Sequence, residues 1–213
     1  MRLTALPALV LAAGCSGGFH SSAPPVQAYV LHAPPAAAAP EASAAPVVPA
    51  HASLRIARPA SAPGLDSDHI AILERDRRFG FYAGSRWAAP LPEVVESLAV
   101  QLFRDSGRFR TVEDSRGSFP ADYLLQITIR RFEADYSEQP GAPIIHVTLD
   151  CLLGRQTSRE LVATFVAESS QSVAANRLST VVAGFEQAAD AALAEAVERA
   201  AGAIRTSTSR GSP

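Results

Sequence analysis

The sequence is poor in cysteine and has no lysine at all. Its 213 residues include two cysteines, Cys15 and Cys151, and all 19 basic residues are arginine. The formal net charge of -2 excludes the strongly basic surface that nucleic-acid-binding proteins and polybasic lipid-binding segments require. We therefore expect no nucleic-acid partner.

Motifs of catalysis and metal binding are also missing. The sequence contains no glycine-rich phosphate loop, no G-x-S-x-G, no H-E-x-x-H and no Cys/His cluster with metal-ligand spacing. Of the five histidines, His69 and His146 stand alone and the others lie in low-complexity segments. His146 alternates with Thr148 and Asp150, which indicates a solvated histidine on the polar face of a strand. We predict no metal site, no catalytic residue and no cofactor.

Two pairs of acidic residues come closest to a catalytic pattern, because neighbouring carboxylates can divide acid and base roles. Asp66 and Asp68 follow the turn Pro63-Gly64, where aspartate commonly forms turns and caps. Glu133 and Asp135 close a predicted strand, and we interpret them as a solvated strand end. A hydrolase that uses the Asp66/Asp68 loop is the weakest functional hypothesis.

Apolar runs long enough to span a bilayer as a helix are absent from the sequence. The short run Leu3–Ala13 follows the single charge of Arg2, which predicts a signal peptide over residues 1–14. The run ends in the letters LAAGC at positions 11–15, where small residues precede a cysteine as a lipoprotein signal peptidase requires. The alternative is an ordinary A-x-A cleavage site in the same region, which would leave a protein free in the periplasm.

Cleavage before Cys15 predicts a lipid anchor at that residue. Diacylglycerol would be attached to the thiol, and an acyl chain such as palmitate to the freed amine. Each buried CH₂ contributes about 0.8 kcal/mol and one chain alone is marginal, so the two attachments together hold firmly. Ser16, rather than aspartate, follows the cysteine, as in lipoproteins of the outer membrane. Lipidation leaves Cys151 alone, which excludes an intramolecular disulfide and favours a buried core residue.

Low-complexity sequence separates the predicted anchor from the folded part. Residues 15–28 are small and polar and are predicted to be the lipidated N-terminus and tether. Tyr29-Val30-Leu31 is prone to form a strand, and the Pro/Ala-rich residues 33–52 cannot build a core. This segment is either a longer tether or an insertion between two strands. At the other end, residues 206–213 are predicted to be a disordered tail.

Hydrophobic periodicity predicts a single α+β domain. One helix opens at Pro90-Leu91-Pro92 and closes at Gly107, and a second covers Leu178–Ile204. Alternating apolar residues predict further strands over residues 54–58, 70–73, 79–81, 123–132, 144–153 and 161–167. The order is strands 1 to 3, helix, three strands, helix. It favours an antiparallel or mixed sheet with two helices packed on one face.

An aromatic cluster is the best candidate for an interaction surface. The cluster contains Arg86 and four aromatic residues close to it in the sequence, Phe79, Phe81, Tyr82 and Trp87. Aromatic residues with arginine are typical anchors at protein interfaces. Packing of Trp87 beneath the first helix is the default interpretation. We take Tyr82, Arg86 and Trp87 as possible partner contacts.

Five segments occur in order behind the predicted lipidation site. They are PASAPGLDSDHIAI (59–72), YAGSRWAAPLPEVVESL (82–98), SGRFRTV (106–112), ADYLLQITIRRFEADY (121–136) and VAGFEQAADAAL (182–193). Together they resemble the ABC-type transport auxiliary lipoproteins, a family that includes the lipoprotein of the paraquat-inducible Pqi system. None of the five is catalytic, and the resemblance is specific because all five occur together.

The resemblance implies an auxiliary lipoprotein domain over residues 29–205 that opens with a Tyr-x-Leu strand at Tyr29, so that residues 33–52 are a loop within it. It also implies an outer-membrane lipoprotein on the periplasmic face. Its partners would be a periplasmic MCE-domain protein and an inner-membrane ABC permease and ATPase, which would conduct lipid and hydrolyse ATP. We expect a non-enzymatic docking subunit of such a lipid transport system, present as a homo-oligomer.

The alternative hypothesis belongs to a different class of function. A stand-alone lipid- or solute-binding lipoprotein would carry its ligand in its own cavity. A pocket between sheet and helices, lined by Phe103, Phe165 and Phe185, would support it.

Overall fold

A computed structural model describes residues 26–33, 50–137 and 141–210, apart from the side chains at positions 50, 51 and 210. Within these ranges the chain forms nine strands, two helices and one turn of 3-10 helix at Arg75–Arg77. The strands are β1 (Gln27–Tyr29), β2 (Ala50–Ile56), β3 (Ala60–Ser61), β4 (His69–Leu73), β5 (Phe79–Trp87), β6 (Phe109–Glu113), β7 (Tyr123–Asp135), β8 (Ile144–Arg155) and β9 (Leu161–Ser172). The helices are α1 (Leu91–Asp105) and α2 (Leu178–Arg210).

The described strands form one mixed sheet with β7 at its centre. On one side, β7 pairs antiparallel with β8, which pairs antiparallel with β9. On the other side, β7 pairs in parallel with β2 at Tyr123, with β3 at Thr128 and with β4 at Asp135. Beyond these strands, β6 extends the sheet from β2, and β5 followed by β1 extends it from β4.

One face of this sheet is covered by the helices. On β7 the buried residues alternate through Leu125, Ile127 and Ile129, and a β-bulge then shifts the alternation so that Phe132 and Ala134 continue the buried row. Helix α2 packs on β8 and β9 and contacts α1, and both helices contact β2. The hydrophobic core therefore lies between this face of the sheet and the two helices.

Proline and glycine define the ends of α1, whereas small residues determine how α2 packs. Pro92 lies in the first turn of α1, where proline is tolerated, and Gly107 follows the helix with φ of 62°. Helix α2 packs mainly through small side chains, because Gly184, Ala192 and Ala200 are buried along it. Small residues on the packed face let a long helix lie close to the sheet.

The predicted α+β fold with a mixed sheet is confirmed, although the strand count differs. Five described strands precede α1 and four follow it. The additional strands, β3 and β6, span two and five residues, so their alternation is too short to be recognised in the sequence. The predicted hairpin over residues 70–81 is confirmed as β4 and β5, which pair antiparallel from Leu73 and Phe79 onward.

The predicted tail needs correction at its start. Helix α2 continues to Arg210, so residues 206–210 are helical rather than disordered. The hydroxyls of Thr206, Thr208 and Ser209 donate hydrogen bonds to carbonyl oxygens four residues earlier. These bonds occupy hydroxyls that would otherwise compete with the helix for backbone groups. The signal peptide, residues 34–49 of the predicted loop and residues 211–213 lie outside the described residues.

Candidate functional site

The predicted lipid attachment residue, Cys15, lies outside the described residues, but the segment that follows it is anchored in the domain. β1 pairs in parallel with β5, with Gln27 opposite Ser85. Leu31 is buried in the core, and the backbone N–H of His32 donates a hydrogen bond to Glu186 Oε1 at 3.0 Å. The segment from β1 to His32 is therefore part of the folded domain.

Trp87, one of the three predicted partner contacts, is a core residue. Its side chain is 1% exposed. The indole meets Phe132 and Phe185 edge to face at centroid distances of 6.0 and 5.2 Å. The default interpretation predicted packing beneath the first helix, whereas the ring contacts β7 and α2. Buried in this way, Trp87 offers a partner no surface.

The other two predicted contacts, Tyr82 and Arg86, lie nearer to solvent. The hydroxyl of Tyr82 forms a hydrogen bond with that of Tyr136, which donates to Asn176 Oδ1 at 2.6 Å. Burial, followed by the bond to Tyr136, raises the pKa of Tyr82 well above its usual range. Arg86 is exposed and lies 3.4 Å from Asp68 Oδ2. Partner contact through Tyr82 and Arg86 stays a prediction.

Cys151 is fully buried on β8, on the side of the core. Burial, with smaller contributions from the carboxylates of Asp150 and Glu195, raises the pKa of the Cys151 thiol to about 12. A thiol with this pKa is protonated at neutral pH and does not act as a nucleophile.

The acidic pair of the first loop is placed as the turn interpretation predicts. Asp66 is exposed, and Asp68 pairs with Arg86 and lies 3.5 Å from His69 Nδ1. This arrangement ties the loop to β5 and shows no division of acid and base roles.

The second acidic pair, Glu133 and Asp135, was predicted to be a solvated strand end, and this is wrong for Glu133. Glu133 is buried and its Oε1 accepts a bond of 2.6 Å from Arg131 Nε, while Asp135 Oδ2 lies 3.4 Å from Arg131 Nη2. The bulge after Ile129 turns residues 131, 133 and 135 together onto the face away from the helices. Because bulges leave no sequence signature here, this cluster could not be predicted.

His146 joins the same cluster from β8. Its Nδ1 lies 2.8 Å from Ser170 Oγ, and its Nε2 lies 3.8 Å from Asp135 Oδ2. The order Ser170, His146, Asp135 resembles a catalytic triad, but 3.8 Å is too long for the hydrogen bond that orients a catalytic imidazole. Asp135 is instead shared with Arg131, so the arrangement fits an ion-pair network on the sheet surface. The histidine is half-buried rather than solvated.

Among the described residues, no three His, Cys, Asp or Glu side chains are grouped so that they could hold a metal ion. Neither described helix combines the length and apolar character needed to cross a bilayer.

The three rings expected to line an internal pocket are packed instead. Phe103, Phe165 and Phe185 are all buried. Phe103 stacks on Phe109 and Phe185 stacks on Phe132, with centroid distances of 5.4 and 5.1 Å. The pocket that would support a stand-alone carrier is therefore not formed by these residues.

Two open grooves lie elsewhere on the surface. One, of about 510 Å³, follows the side of α1 between Glu96, Arg104 and Arg116. The other, of about 540 Å³, crosses the outer face of the sheet near Leu152 and Leu161. Neither groove contains a residue that the sequence predicted to be functional.

Comparison with known proteins agrees with the domain just described. The family model of the ABC-type transport auxiliary lipoprotein component matches residues 29–203, from the end of β1 into the last turns of α2. The chain belongs to this family. The auxiliary lipoproteins are a transport family and not an enzyme family.

Solved structures show the same fold as this auxiliary lipoprotein. A crystal structure of a protein from Xanthomonas campestris is 26% identical with a TM-score of 0.73, and the alignment covers 88% of this chain and 99% of that one. A crystal structure of an uncharacterized protein is 13% identical with a TM-score of 0.63, covering 83% and 99%. No curated protein matches the chain significantly.

Proposed function

We propose that this auxiliary lipoprotein is a non-enzymatic docking subunit of an MCE-type ABC lipid transport system. Diacylglycerol and an N-acyl chain on Cys15 anchor it to the periplasmic face of the outer membrane. The observation that carries the proposal is the family match over residues 29–203, directly behind the predicted lipidation site.

The structure of the domain is consistent with a role in positioning partners. Two of its acidic side chains, Glu133 and Asp135, form ion pairs with Arg131, and the three phenylalanines of the expected pocket are core residues. Conduction of lipid and hydrolysis of ATP then belong to the partners, a periplasmic MCE-domain protein and an inner-membrane permease and ATPase. The lipoprotein acts as a homo-oligomer in this assembly.

Affinity purification from native membranes tests the proposal. A C-terminally tagged chain is extracted in mild detergent, and the proteins recovered with it are identified by mass spectrometry. We expect an MCE-domain protein and an ABC permease in amounts comparable to the bait. The matched control is the exposed-surface substitution Asp66→Asn, which should recover the same set. Recovery of the bait without either transport component would contradict the proposal.

A further inference from the structure

The end of the β4–β5 hairpin, residues 74–81, combines exposed aromatic and cationic side chains, and we call it the hairpin tip. Phe79 and Phe81 are 46% and 41% exposed and touch edge to face at a centroid distance of 5.3 Å. Arg75 and Arg77 are exposed, and neither forms an ion pair with any side chain that the structure describes. Large exposed apolar side chains next to unpaired cations mark a surface that something covers.

The two rings are held outward by their neighbours. A Cβ on Gly64 would lie 2.9 Å from Phe79 Cε1, so the Phe79 ring rests on the backbone of that glycine. The Phe81 ring lies 4.9 Å from the ring of His69. Both phenylalanines lie opposite the helix-covered face of the sheet, since Phe79 pairs with Leu73, which pairs with Asp135 on that outer face.

The charge of the tip is positive overall. Arg75, Arg77 and Arg78 outnumber Glu74 and Asp76. Arg78 is paired with Glu74 at 2.6 Å, so the net charge resides on the unpaired Arg75 and Arg77 beside Asp76. Guanidinium groups form bidentate hydrogen bonds with phosphate, and their long stems can lie along apolar material.

The direction of β1 leads the predicted tether toward this tip. β5 runs away from the tip, from Phe79 to Trp87, and β1 is parallel to it. The chain before Gln27 therefore approaches the domain from the side of the tip. Val26 follows Cys15 by eleven positions, and eleven residue steps span roughly 40 Å at full extension. A lipid on Cys15 lies within reach of the tip from that side.

We infer that the hairpin tip rests on the anionic lipid surface of the membrane that holds the Cys15 anchor. Phe79 and Phe81 enter the headgroup region, and Arg75 and Arg77 bind lipid phosphates. The inference rests on the lipid anchor in the proposed function. It commits to a bilayer rather than a protein because β1, the first described strand after the predicted lipidation site, runs in the same direction as β5 and so begins from the side of the hairpin tip.

With the lipid on Cys15 as the first attachment and the hairpin tip as the second, the orientation of the domain relative to the membrane is fixed. The tip lies at the end of β7 marked by Asp135, because Leu73 pairs with that residue. The turn between β8 and β9 lies at the opposite end, near Tyr123, roughly 40 Å away along the strand. That far end, with the groove near Leu161, then faces the periplasm, where a partner can reach it.

Tryptophan quenching in vesicles tests the inference. The lipidated mature chain carrying Phe79→Trp is reconstituted into phosphatidylethanolamine/phosphatidylglycerol vesicles with and without lipids brominated in their acyl chains. The matched control is Leu161→Trp, an equally simple change at a residue 60% exposed at the far end. The unchanged chain gives the background of the buried Trp87. We expect a blue-shifted, severalfold more strongly quenched indole at position 79 than at 161.

Two further changes test whether the membrane contact of the hairpin tip is electrostatic. Arg75→Gln with Arg77→Gln should reduce quenching of the indole at 79, as should higher salt, because the attraction is electrostatic. Equal quenching at 79 and 161, or none at 79 on vesicles that carry the protein, overturns the inference. A spectral change at 79 that requires an added MCE-domain protein assigns the tip to a protein partner and overturns it too.

Flotation of the same vesicles reports on the anchor separately. A chain that floats without quenching at 79 overturns the tip contact alone and leaves the docking role intact. A chain that fails to float lacks the anchor, which overturns the proposed function together with the contact that depends on it.

Discussion

Two glycines of α2 lie in opposite surroundings. A Cβ on Gly184 would lie 2.5 Å from Val173 Cγ1 and 3.0 Å from Ile145 Cγ1, whereas one on Gly202 would meet only Arg205 Nη2 at 3.8 Å. We expect Gly184→Ala to reduce the free energy of unfolding by roughly 1–3 kcal/mol through overpacking. Gly202→Ala should raise it by about 0.5–1 kcal/mol through helix propensity. Urea denaturation measures both, and changes of the same sign would contradict the packing described here.

Asp190, also on α2, has a buried carboxylate oxygen, Oδ1, without a hydrogen-bond partner. Burial, with a smaller contribution from Glu186, raises its pKa to about 6. In the unfolded chain the pKa of an aspartate carboxyl is about 3.9. Between roughly pH 4 and pH 6 the folded state therefore keeps a proton that the unfolded state loses, so stability decreases as the pH rises through this window and stays lower above it.

Asp190→Asn tests this pH dependence. The amide cannot ionise, so we expect the variant to lack this decrease in stability and to be more stable than the unchanged chain at pH 7. Chemical denaturation at several pH values between about 4 and 7 provides the measurement. Asp66→Asn, at an exposed loop carboxylate, is the matched control and should leave the pH dependence as it was. A pH dependence that Asp190→Asn does not change would refute the assignment.

At the scale of whole elements, the strands and helices that could be predicted from the sequence are those that are long and half-buried. β7, β8 and α2 show their periodicity over 12 or more residues, which is enough to distinguish a strand from a helix. The short strands β3 and β6 lack that length, and both are held by neighbours distant in the chain: β3 by β7 and β6 by β2.

The exposed aromatic surface of β5 was predicted less well, because exposure depends on tertiary packing. Trp87 and Phe79 are both aromatic residues of β5, yet the first is enclosed by Phe132 and Phe185 and the second is open to solvent. Strict alternation along β5 would place Phe79, Phe81 and Trp87 on the same face, so it does not separate them. The irregular pairing between His69 and Ala71, however, interrupts that alternation before Trp87 and has no sequence signal.

The segment after the tether provides a prediction at the same scale. Leu31 is 6% exposed and its neighbour Val30 is 54% exposed. If the segment is an integral part of the domain, Leu31→Ala should lower the free energy of unfolding by about 2 kcal/mol or more, as for other buried leucines. Val30→Ala, the matched control, should change it by less than about 0.5 kcal/mol. Equal, small effects would show that the segment after β1 is dispensable.

At the scale of the whole molecule, the two ends of β7 have different roles in the proposal. The predicted lipid anchor and the hairpin tip both belong to the end marked by Asp135. The chain enters β1 from the side of the hairpin tip, while α2 ends far from its start after 33 residues, roughly 50 Å at helical rise. A domain held at one end presents its other end to the periplasm. In the proposed function, this position is what the molecule contributes to transport.

The two cysteines separate anchoring from folding. Cys15 lies outside the residues that the structure describes, whereas Cys151 is fully buried. We expect Cys15→Ser to fold with unchanged stability, to incorporate no labelled palmitate and to be absent from the outer-membrane fraction, because serine offers no thiol for diacylglycerol. Cys151→Ala should be less stable, since it leaves a small cavity, but remain labelled and membrane-bound. If anchoring is the function of the N-terminus, lipid transport in cells fails in the first variant and persists in the second. Full transport by the Cys15→Ser chain would mean that the domain reaches its partners without the lipid.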